Sequence, residues 1–228
     1  MDNTLTRALI AEFLGTFTLV FVGAFAVVTI GEGTTDVVTP ALAHGLILIG
    51  LIFTFGHISG AHFNPAVTVG LFIGGNIDTT KAIAYLVIQF VGGIVAAYVL
   101  VAILPDPGNY GQTTGSLTAD NVWNAVLLEV VLTFFLVSSI YQSAVYGRAG
   151  TLAAVAIGMT LAGAILAGGP YSGASLNPAR TLGPALAAGD FSYLIPYLIG
   201  TFGGGVLAGV VHAFVLTDPE QQPDVDVA

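Results

Sequence analysis

Two stretches decide the fold: His57–Gly70 reads HISGAHFNPAVTVG and Pro170–Gly183 reads PYSGASLNPARTLG, identical at eight of fourteen positions at an offset of 113 residues. Each carries Asn-Pro-Ala, at Asn64-Pro65-Ala66 and at Asn177-Pro178-Ala179. Alone, the tripeptide is a good helix start, because Asn caps free amides and Pro suits the first turn. The apolar pieces it opens, about Asn64 to Gly74 and about Asn177 to Ala188, are too short for a membrane core of about 30 Å at roughly 1.5 Å per residue. They read as half-spans. Non-helical backbone at membrane depth survives only where it is buried or lines a watery cavity, so the segments leading into them are candidates for a pore.

Outward from these stretches lie six longer apolar blocks: about Arg7–Ile30, Pro40–His57, Lys81–Leu104, Val122–Val145, Thr151–Ala167 and Tyr193–Leu216. Only 7% of the 228 residues are charged and the mean hydropathy is +0.92, which excludes an ordinary soluble domain. Cysteine is absent, so no thiolate metal site or cysteine nucleophile exists. Ala24-Phe25-Ala26 mimics a cleavage site after Arg7, but Glu12 interrupts the would-be signal and apolar residues continue to Ile30, so the block reads as a span.

Six spans that start inside place Arg7, Lys81 and Arg148 on the cytoplasmic side, with both termini, as the positive-inside rule requires. Glu32, Asp36, Asp106, Asp120 and Asp190 then face outward. Arg180 alone falls on the outer half, inside the second half-span, where a charge is a functional candidate by default. The first and fourth spans also match, AEFLGTF (Ala11–Phe17) over LEVVLTF (Leu128–Phe134), pairing Glu12 with Glu129 and Thr16 with Thr133. Each half is three spans, an odd number, so the second half enters from the opposite side as an inverted repeat. Repeat one covers about 7–104 and repeat two about 122–216, in one channel domain of 1–217. Residues 218–228 read as a disordered acidic cytoplasmic tail. The two half-spans meet at the midplane, where helix amino-termini concentrate positive potential and the asparagines can aim amide hydrogens into a lumen.

With SGAHFNPAVT, SGASLNPAR and AEFLGTF, the chain resembles the aquaporin/glycerol-facilitator family over all but its last ten or so residues. The resemblance implies an all-α membrane protein: a right-handed bundle of six tilted helices and two half-helices, with one pore per subunit of a homotetramer. It implies that Asn64 and Asn177 orient water, flanked by Pro65, Ala66, Pro178 and Ala179. By the family's offsets, His44, Ile165, Ala174 and Arg180 form the selectivity constriction. That set departs from the narrowest water-selective pattern, since Ile165 removes a ring and a donor. It is similar to some plant vacuolar-membrane aquaporins associated with water plus ammonia, urea or glycerol. Glycerol facilitators differ, with aspartate and then a basic residue where this chain has Thr181 and Ala185.

Glu12 and Glu129 are expected to accept hydrogen bonds from the non-helical segments, with proton relay as the rival reading. His62 is expected beside Asn64, His57 as a tie for the loop, His212 as an interface residue, and Gln89 as a brace of the third span. His57 and His62 lack a third ligand for zinc. Gly45 and Gly158, each 19 residues before its asparagine, read as a close crossing of two spans, and the glycines at 92–93 and 203–205 as packing. The expected function is a passive channel for water and small neutral solutes that excludes ions and protons, with Arg180, opposite His44, supplying donors. It needs no cofactor, metal, enzymatic step or nucleic acid, and its partners are its solutes, lipid and its own copies. A glycerol-facilitator-type channel and a coupled secondary transporter are the alternatives. The cell membrane is the expected location.

Overall fold

The structure, a computed structural model, describes residues 3–31, 33 and 36–216. The acidic tail 218–228 and Glu32 lie outside the described residues. Six helices cross: α1 (Asn3–Gly31), α2 (Val38–Ser59), α4 (Thr79–Ile103), α6 (Val122–Ile140), α7 (Ala153–Ser172) and α9 (Leu194–Phe214). Two short helices, α3 (Pro65–Ile73) and α8 (Pro178–Ala188), are the half-spans, and a five-residue helix, α5 (Ser116–Asp120), lies in the loop between the halves. Each crossing segment is long and apolar enough to span a bilayer. The fold is the expected all-helical inverted repeat.

Boundaries follow from local chemistry. The second span runs to Ser59 and the fifth to Ser172, past the sequence expectation, and each ends on a left-handed glycine, Gly60 (φ +88°) and Gly173 (φ +81°). Pro170 does not stop α7, because a proline in the final turn loses only one backbone bond. The fourth span does not end as an α-helix; Tyr141–Val145 forms a π turn, which hydropathy has no means of showing.

Packing repeats with the sequence. α1 packs on α4 as α6 packs on α9, and α2 crosses α7 between the halves. At that crossing a Cβ on Gly45 would sit 2.7 Å from the Gly158 carbonyl, and one on Gly158 would sit 2.5 Å from the Gly45 carbonyl. Only glycine permits that approach. Each half-helix packs against the last span of the other half, α3 on α9 and α8 on α4, which interlocks the repeats around the midplane.

Candidate pore and its constriction

The segments that enter the half-helices are held by carboxylates. Glu12 Oε1 accepts from the Ser59 hydroxyl (2.7 Å) and the His62 amide (3.0 Å); its Oε2 accepts from the Phe63 amide (2.7 Å) and Gln89 Nε2 (2.8 Å). Glu129 repeats this with the Ser172 hydroxyl (2.7 Å) and the Ser175 and Leu176 amides (both 2.9 Å). Both glutamates are fully buried. These bonds offset a local cost: Ala61, Phe63, Ala174 and Leu176 all hold positive φ, between 43° and 55°, at roughly 1–2 kcal/mol each for a residue with a Cβ.

The two carboxylate grips differ in their fourth donor. Gln89 bridges Glu12 and the Thr68 hydroxyl (2.9 Å), whereas Thr201, at the matching place in α9, bonds its own helix at the Tyr197 carbonyl (2.8 Å). Tyr85 and Tyr197 give the register, since their hydroxyls donate to the Ser59 and Ser172 carbonyls, both at 2.7 Å.

At the midplane Asn64 Oδ1 accepts from the Ala66 amide (2.8 Å), and Asn177 Oδ1 from those of Ala179 (2.9 Å) and Arg180 (3.3 Å), with Pro65 and Pro178 as first helical residues. The amide groups then reach across the repeat. Asn64 Nδ2 donates to the Leu176 carbonyl (2.8 Å) and Asn177 Nδ2 to the Phe63 carbonyl (3.1 Å). One hydrogen of each amide is therefore a brace, and one, not two, remains for the lumen. Both asparagines line a central cavity of about 60 Å³.

Outside that cavity lies a vestibule of about 370 Å³, and His44 lines both. Arg180 lines the inner cavity and Ile165 the outer. Ala174 lines neither; it is buried with Ile165 and Leu176 in the apolar core. His44 Nδ1 lies 2.7 Å from the Pro40 carbonyl, which can only accept, so the hydrogen sits on Nδ1. Nε2 is then an acceptor, and Arg180 Nε donates to it at 3.2 Å. His44 therefore offers no donor to a solute, which leaves that part to Arg180. Arg180 Nη1 donates to the Gly111 carbonyl (2.6 Å), in the loop between α4 and α5. Neighbouring loop residues hold the second half too: Gln112 Nε2 reaches Asp190 and the Tyr193 hydroxyl (both 3.3 Å), and Thr113 donates to Thr181 (3.3 Å).

A profile of the major intrinsic protein family matches residues 1–212. The chain belongs to the major intrinsic protein family. It is 40% identical to Aquaporin TIP1-1 of Zea mays over 234 residues, covering 96% of this chain and 92% of that one. It is 38% identical to Probable aquaporin TIP2-2 of Arabidopsis thaliana, covering 92% and 87%. Among solved structures, the aquaglyceroporin from Plasmodium falciparum superposes with a TM-score of 0.78 at 25% identity, covering 93% of this chain and 97% of that one. This member of the family is an integral membrane protein and a passive channel of the aquaporin kind, not an enzyme.

The remaining polar residues of this channel divide clearly. His62 lines the central cavity with Nδ1 3.0 Å from the Thr68 hydroxyl, its ring edge-on to Tyr85. His57 ties nothing among the described residues; α2 continues past it and leaves it exposed. His212 is buried, its ring stacked 5.1 Å from that of Tyr141. Sequence reasoning missed Tyr85 and Tyr197, although YLVIQF (Tyr85–Phe90) and YLIGTF (Tyr197–Phe202) carry the repeat openly. It also missed Gly111, Gln112 and Thr113, whose loop has no periodicity to read.

Proposed function

We propose that the channel passes water in single file, admits small neutral solutes such as ammonia, urea or glycerol, and excludes ions and protons. The observation that carries this is the midplane, where the amino-termini of α3 and α8 are braced tip to tip by Asn64 and Asn177. Each helix end presents roughly half a positive charge, so a cation meets two such ends and Arg180 in one narrow path. A water molecule there accepts from the two remaining amide hydrogens. Its own hydrogens must then point away along the pore, which breaks the chain a proton would follow.

Donor counting supports the solute range. Of the five N–H groups of Arg180, one goes to His44 and one to Gly111, and three remain. Ile165 supplies an apolar side. A permeant with an acceptor on one face and an apolar or neutral opposite face suits that pair. The coupled-transporter alternative is disfavoured, because Glu12 and Glu129 line neither cavity and their oxygens are engaged by buried donors.

The channel unit is residues 1–217, with the 218–228 tail and both termini cytoplasmic, on the side of Arg7, Lys81 and Arg148. The relatives of the TIP type favour a vacuole-like internal membrane over the plasma membrane, in line with the constriction residues. Assembly as a homotetramer rests on the family resemblance, and the mass of the detergent-extracted particle tests it. The deciding experiment is stopped-flow light scattering of proteoliposomes with water, glycerol, urea and ammonia side by side. Rates equal to those of empty vesicles in every case would overturn the channel reading. Current under an imposed potential tests ion exclusion.

A further inference from the structure

Leu19, Gly23 and Val27 share one face of α1, four residues apart. Leu19 lines the central cavity and Val27 the outer vestibule, so Gly23 lies at the level of the constriction between them. A Cβ on Gly23 would overlap the His44 imidazole, with Nε2 the nearest atom. The next residue, Ala24, is fully buried. Against it lies Gly111 (φ +69°), where a Cβ would come within 2.6 Å of the Ala24 Cβ, 2.8 Å of its Cα and 2.9 Å of its carbonyl oxygen. Two adjacent residues of the first span thus seat two groups that are distant in sequence. Those groups, the His44 imidazole and the Gly111 carbonyl, are the two acceptors of Arg180.

We propose that Gly23 and Ala24 are the positioning residues of the constriction, setting from the first span how Arg180 stands and hence which solutes pass, without contact with the permeant. Arginine has a long, flexible stem, and its direction is set by the acceptors its planar fork meets. Gly23 leaves room for the His44 ring to keep Nε2 on Arg180 Nε. Ala24 is the floor on which the loop backbone rests with its Gly111 carbonyl toward Nη1. Both contacts are to atoms of a packed helix, which cannot yield as a side-chain tip would. The inference rests on the reading of Arg180 as the filter.

The test is the urea-to-water permeability ratio and the proton leak of proteoliposomes. Ala24→Val lifts the Gly111 carbonyl from Nη1, and both readings should rise several-fold. Ala24→Gly removes the floor without crowding, and both should rise by less; it decides the matter if the valine variant does not fold. In an Arg180→Val background neither Ala24 substitution should add anything. Ala8→Val, a buried position on the same helix remote from both cavities, should move neither reading. Folded Ala24 variants with the parent's ratio and leak, where Arg180→Val alters both, overturn the inference alone. Added effects in the Arg180→Val background also overturn it, since they would mean general loosening. An Arg180→Val channel with unchanged ratio and leak takes the filter reading down together with this one.

Discussion

Glu12→Gln and Glu129→Gln should not cost the same, and the difference follows from one residue. All four groups around Glu12 are donors: the Ser59 hydroxyl, which itself accepts from the Ala61 amide at 3.0 Å, the His62 and Phe63 amides, and Gln89 Nε2. A glutamine can satisfy two of them through its carbonyl, while its NH₂ faces the other two. The Phe63 amide is then buried without an acceptor, and Gln89 keeps only Thr68. At about 1–3 kcal/mol per orphaned buried donor, with the Gln89 share at the low end, the loss is about 2–4 kcal/mol. Around Glu129 the glutamine carbonyl can keep Ser172 and Ser175, leaving only the Leu176 amide, for about 1–3 kcal/mol. At roughly 2–4 °C per kcal/mol for a chain of this size, Glu12→Gln should melt about 5–15 °C below the parent and below Glu129→Gln. The assay is thermal melting in one detergent, followed by water flux at a temperature where all three are folded. Equal losses, or a larger loss for Glu129→Gln, would refute the accounting and the part given to Gln89.

Arg180→Val should keep water flux and gain a leak of protons or small cations, read as current under an imposed potential; an unchanged ion barrier would assign exclusion to the midplane alone. Ile165→His should reduce glycerol, urea and ammonia permeation more than water permeation in stopped-flow measurements, and a proportional fall in all four would reject the apolar-wall argument. The Thr16 and Thr133 hydroxyls are buried without a hydrogen-bond partner among the described residues, so Thr16→Val and Thr133→Val should leave stability unchanged or raise it, by up to about 1–3 kcal/mol each, and a large loss in melting would expose a hidden partner. The Asp190 carboxyl is held below its ordinary range, first by the Ser192 hydroxyl (2.7 Å) and then by its amide (3.0 Å). Its contribution is therefore present above the ordinary carboxylate range and lost as pH falls through the lowered value. The melting gap between the parent and Asp190→Asn should close in acid, and a gap that widened there would reverse the sign of this argument.

The amino-acid order alone determined the membrane class, the six spans, the two half-spans and the inverted repeat. Those features depend on composition and period, because lipid penalises every charge and every unpaired backbone group in the same way wherever it lies. The paired Asn-Pro-Ala boxes also singled out the midplane, whereas the constriction positions came from the offsets of the family the chain resembles. Tertiary structure alone decided what those groups do with their hydrogen bonds. Asn64 bonds a carbonyl 112 residues away, and Arg180 a histidine 136 residues away. No local pattern records such pairs, since they exist only once α3 and α8 meet and the loop between α4 and α5 lies across α1. The same holds for His44, whose two nitrogens are engaged by Pro40 and Arg180, and for Gly23 and Ala24, which look like ordinary small residues of a span until the constriction is packed against them.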